Sequence, residues 1–224
     1  MMPTGKFLMM ISLLRCSLAT VQSPVCGAQI MQPERTVRGN VITSERDPKV
    51  RVQLPEPAQY VGADRWVLYD IADCELHAFV DADAKKNVQR LYWVQFEGYV
   101  PSKPELHHTY DSSRHATIGG WDFYVDSWVR AKSEETRAGS DLEHIVHLIE
   151  AKGYRLPAGM MYVRFVHLLD EQKRHELMII YAEDLAGGRY SAAELQKGGK
   201  FYEQWAPLDK ALVERGEKAF SLEP

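Results

Sequence analysis

Met160–Leu169 (MMYVRFVHLL) and Leu177–Ala182 (LMIIYA) flank the polar turn Asp170–Glu176, and this stretch decides the fold. Both runs have the length and the β-branched and aromatic content of strands. The turn between them is too short for a parallel crossover, so they read as an antiparallel hairpin. One face of the first strand carries Met160, Tyr162, Arg164, Val166 and Leu168. The other carries Met161, Val163, Phe165, His167 and Leu169. Both faces are mainly apolar, which is the pattern of a strand covered on two sides.

Working outward, Val88–Tyr99 (VQRLYWVQFEGY) has the same two-faced character, with Tyr92, Val94 and Phe96 opposite Leu91 and Trp93. Trp66–Ile71 and Glu75–Val80 read as strands joined by a short link, a hairpin or a bulged strand. Trp121–Val129 reads as another, entered through Gly119-Gly120. Ser140–Lys152 is expected to be helical. Ser140 and Glu143 have capping-box spacing, Gly153 suits a left-handed helix end, and Leu142, Ile145, Val146 and Ile149 make one apolar stripe. His144 and His147 fall opposite that stripe and are expected to face solvent. Near the C-terminus, Ser191 and Glu194 repeat the capping spacing, and Pro207 can open a last helix burying Leu208, Ala211, Leu212 and Ala219. The expected class is α+β: a mainly antiparallel sheet, an amphipathic helix at 140–152 between strands, and C-terminal helices packed on the sheet. Residues 58–224 are expected to form a single domain. Residues 29–57, with four prolines and one candidate edge strand at Lys49–Leu54, read as a polar N-terminal arm.

The first 28 residues differ in kind. A basic start through Lys6, the apolar run Phe7–Leu14 and small-residue sites at Ala19 and Ala28 have the layout of a secretory signal peptide, although Arg15 shortens the apolar region. The expected location is therefore the periplasm or the medium. The run is too short to span a bilayer, which takes about 20 residues. Of the three cysteines only Cys74 lies beyond this leader, so no internal disulfide is expected. A hydrophobic content of 45% is ample for a core, and a net charge of −4 gives no basic field to hold nucleic acid.

No nucleophile elbow, phosphate loop or dinucleotide fingerprint occurs in the chain. Cys74 sits among acidic neighbours, which disfavours a reactive thiolate. His144 and His147 lack the zinc-peptidase spacing. The loop 105–115 offers His107, His108, Asp111 and His115 as metal ligands, but adjacent histidines in extended chain diverge, so a polar surface loop is the expectation. The polar groups set into the apolar strands are more informative, because a binding pocket is mostly apolar with a few placed polar groups. Arg164 beside Tyr162, and Gln95 and Glu97 on the Trp93 face, are the candidate binding residues. Arg164 is expected either to pair with a carboxylate or to hold an anionic group of a ligand. The function expected is an exported, non-catalytic binding or accessory protein for a small anionic or partly apolar ligand or a protein partner, a second copy of the chain included. The alternative is a metal-dependent hydrolase or other enzyme using the His107/His108/His115 loop. No cofactor is expected.

Overall fold

The structure is a computed structural model and describes residues 31–185 and 189–223; the expected leader lies outside the described residues. The strands are β1 (Thr36–Arg38), β2 (Val41–Ser44), β3 (Val50–Gln53), β4 (Gln59–Leu68), β5 (Ala72–Ala82), β6 (Val88–Tyr99), β7 (His115–Ile118) and β8 (Trp121–Ala131). Helix α1 (Asp141–Ala151) is followed by β9 (Gly159–Leu168), β10 (His175–Asp184), the single turn α2 (Ala192–Leu195), α3 (Trp205–Lys218) and β11 (Ser221–Glu223). Two sheets result, one of seven strands in the order β4-β5-β6-β10-β9-β8-β7 and one of four in the order β1-β2-β3-β11. Every strand pair is antiparallel. This is an α+β fold dominated by antiparallel sheet.

The hairpin β9–β10 lies in the middle of the large sheet, with β10 against β6 and β9 against β8. That position explains its two apolar faces, since both are largely covered. On one side Phe79, Tyr92, Val94, Phe96, Val163 and Phe165 meet Leu212 and Val213 of α3 and the inward residues of the small sheet. On the other side Leu76, Trp93, Tyr162 and Ile180 meet Ile145 and Ile149 of α1. The α3 backbone comes close to β9 at Gly216, where an added Cβ would stand 2.8 Å from Val163 Cγ1.

The stretch 29–57 departs from the expected polar arm. Its strands β1–β3 form most of the second sheet, and β3 is an inner strand between β2 and β11, not an edge. Ile42, Val50, Val52 and Leu54 are all buried in the shared core. The partner that makes β3 internal is β11 at the far end of the chain, through Leu222↔Val52. Its approach is close: a Cβ on Gly119, which turns β7 into β8 at a φ of 59°, would meet Leu222 O at 2.6 Å. Glu75 ties the segment before β1 to the large sheet. Its carboxylate, 1% exposed, accepts hydrogen bonds from the Glu34 and Arg35 amides at 2.7 and 2.8 Å, and from the Arg35 guanidinium at 3.2 Å. His77 Nε2 lies 2.9 Å from the same group.

Ser140 caps α1 by accepting from the Glu143 amide, but Glu143 reaches back to the Gly139 amide, so the box is closed one residue early. At Ser191 both halves of the box are present. His147 is exposed, as expected. His144 is not: it stacks on Trp66 with ring centres 4.0 Å apart and bonds Asp64 at 2.7 Å. The wheel placed it opposite the stripe, but β4 rises beside the helix and covers that flank.

Candidate functional site

On the α1-covered face of the large sheet, register places acids side by side. Glu97 of β6 lies directly between Cys74 of β5 and Glu176 of β10. Like charges facing each other across strands are destabilising, so this pair needs protons or a cation. His108 enters from the loop after β6, is 6% exposed, and sets Nδ1 3.0 Å from Glu176 Oε2. Tyr110 donates to the same oxygen at 2.6 Å. Asp141, the first residue of α1, approaches Glu97 from above.

Burial governs the protonation of this cluster. It pushes Glu97 up to about 7, with Asp141 adding to the effect. It pushes Glu176 up to about 8, with the Glu97 charge beside it. The same desolvation lowers His108 to about 4, leaving a neutral imidazole at neutral pH. The Cys74 thiol is raised by burial and by Glu97, so it is no thiolate nucleophile.

Next to the cluster a cavity of ≈ 220 Å³ opens between the sheet and the N-terminus of α1. Trp93, Trp128, Tyr162, Arg164, Asp141 and Met178 are among its lining residues. Trp128 and Tyr162 stack with centres 5.3 Å apart and planes 2° apart. Arg164 pairs with Asp126 of β8 at 2.7 Å, and its guanidinium lies 5.3 Å from the Tyr110 ring. Cavity and cluster are joined along β6: Trp93 donates to Gln95 at 3.0 Å and Gln95 donates to Glu97 at 3.1 Å.

Four buried side-chain polar atoms among the described residues lack a hydrogen-bond partner: Trp66 Nε1, His108 Nε2, Asp141 Oδ1 and Arg164 Nε. All four belong to the region just described, since Trp66 faces Cys74 across β4–β5. Buried polar groups are otherwise nearly always paired, so this concentration sets the face apart from the rest of the described interior.

The structure thus brings Trp93, Tyr162 and Arg164 to one cavity, with Gln95 and Glu97 leading away from it. The loop set is not brought together. Among the described residues the groups close enough to share an ion include neither His107, Asp111 nor His115. His107 and Asp111 are exposed, and His115 on β7 packs against Tyr124 at 4.8 Å. Of these four only His108 turns inward, because the loop folds back onto the turn between β9 and β10 through His108 N–H to Lys173 O at 2.7 Å. Sequence reasoning missed Asp141, Trp128, Tyr110 and above all Glu176, taken as the end of a turn. Its spacing of two from Met178 and four from Ile180 is the signal that could have placed it on this face.

The fold defines this chain as an α+β protein with its candidate site on a sheet face beneath a helix. Comparison with protein-family models, curated proteins and solved structures finds no match.

Proposed function

We propose that this is an exported, non-catalytic binding protein that holds a small, partly apolar molecule with an anionic group in the cavity under α1. The observation that carries this reading is the cavity: stacked aromatic rings on its wall beside Arg164, whose buried Nε has no partner. Such a site suits a flat apolar body whose negative end meets the guanidinium. Most of the two apolar sheet faces is covered by the chain's own helices and small sheet, so the open part is assigned to a ligand rather than to a second copy of the chain. Export rests on the leader pattern at 1–28. No helix of the described residues is long and apolar enough to cross a membrane. The scattered loop histidines and the protonated Cys74 supply no support for the hydrolase reading.

Indole-3-acetate and neutral indole are suitable probes, with binding read by titration calorimetry. The acid is expected to bind saturably, and indole at least about 10-fold more weakly, since a charge-assisted contact contributes on the order of 1.5–3 kcal/mol. Arg164→Met should remove the difference between the two probes. Equal affinity for both in the unaltered protein, or none for either, overturns the reading.

A further inference from the structure

We propose that Glu97, His108 and Glu176 form a binding site for one divalent first-row transition-metal ion. One oxygen of each glutamate and one ring nitrogen of His108 lie within 4.8 Å of one another. The three come from β6, β10 and the loop between β6 and β7, so only the tertiary fold assembles them. Two carboxylates and a neutral imidazole balance a dication, the condition for burying one. An imidazole in the set favours zinc, manganese or iron over calcium and magnesium, which take oxygen ligands.

A second observation points the same way. His108 is more than nine-tenths buried, yet its Nε2 has no partner. Asp141 Oδ1, also unpartnered, belongs to the neighbouring group Cys74, Glu97 and Asp141, which shares Glu97. The outer partners of a metal site are present too. Tyr110 donates to Glu176 at 2.6 Å and Gln95 to Glu97 at 3.1 Å, which orients both carboxylates as ligand-supporting groups do. This site stands apart from the organic-ligand reading: either can fail alone, because the metal assay uses no organic probe.

The test uses the full chain, freed of metal with a chelator and titrated with Zn²⁺ by calorimetry. One ion per chain is expected, with a rise in Tm by mass action. Glu176→Gln and His108→Ala should each weaken binding by at least about 100-fold, the upper range for loss of even an outer partner. The double variant His107→Ala/His115→Ala should bind as the unaltered chain does. Co²⁺ in the unaltered chain should show the visible bands of a nitrogen and oxygen ligand set, which decides the matter should the site variants fail to fold. A folded chain that retains no Zn²⁺ overturns the proposal. So does binding lost only in the His107/His115 variant, or a strong thiolate band with Co²⁺, which would put the ion on cysteine.

Discussion

Arg164 shows how burial sets the value of a single charge. Its partner Asp126 and the guanidinium are each 32% exposed at the side chain, so the pair is screened by water. Arg164→Met should therefore cost about 1 kcal/mol, the scale of a partly exposed ion pair, and not the roughly 3–5 kcal/mol of a fully buried one. Urea melts of the variant measure this beside the indole probes. His144 is the opposite case, a residue that the helical wheel placed in solvent and that β4 covers. With a ring stack on Trp66 and a bond to Asp64, His144→Ala should cost about 1 kcal/mol, as a stacked pair and a hydrogen bond each contribute on that order. The exposed His147→Ala should stay within about 0.5 kcal/mol of the unaltered chain. Equal melts for the two variants would refute the contact.

At the scale of elements, the seven-stranded sheet is held by what lies on it. Helix α3 reaches β9 because Gly216 has no side chain: a Cβ there would press on Val163 at 2.8 Å and on the Phe165 ring at 3.0 Å. Gly216→Ala gains helix propensity but forces the helix away from the sheet. Overpacking of this kind costs about 1–3 kcal/mol, more than the roughly 1 kcal/mol that alanine gains over glycine in a helix. A net loss of stability in denaturant melts is expected, and a net gain would show that α3 sits farther out. The N-terminal strands illustrate a related point. β3 alternates Val50 and Val52 with Arg51 and Gln53, which reads locally as an edge. It becomes internal only because β11 arrives from the far end of the chain, where Leu222 is the register partner of Val52.

For the molecule as a whole, the buried acids set how stability depends on pH. Glu97 and Glu176 have folded pKa values near 7 and 8, above the ordinary carboxyl range. Their contribution is full below about pH 4.3 and is lost as pH rises through 7 and 8. Other groups respond to acid instead, among them His108, Glu75 and Asp170. His108, lowered to about 4, contributes stability that disappears as pH falls from about 6.5 through 4. Glu75 is held down to about 2: burial opposes its charge, but His77, two backbone amides and Arg35 outweigh it, so its share is lost below about pH 4. Asp170, lowered by bonds from Arg174 and His175 against a burial penalty, acts in the same acid range. Between pH 6.5 and 8 the two raised glutamates dominate, beside Cys74, Tyr110, Asp141 and Arg164 on the same face. Metal-free protein should lose on the order of 2 kcal/mol across that window, and Glu176→Gln should lose less. Urea melts at pH 6.5 and 8.5 decide it, and a flat profile would contradict the protonated pair.

What the sequence determined by itself was local. Period-two runs located the β9–β10 hairpin and β6, the capping serines located α1 and α2, and strand alternation put Trp93, Gln95 and Glu97 on one face, and Tyr162 and Arg164 on one face of β9. Each rests on neighbours within a few residues, where periodicity and capping act. Tertiary structure decided that these two faces are the same face of one sheet, that Glu176 opposes Glu97, that His108, alone of the loop histidines, joins them, and that β11 closes a second sheet on β3. Those are questions of register and of which distant segments pair. They are settled by burying both sheet faces at once, a condition on the whole chain that no local stretch of residues contains.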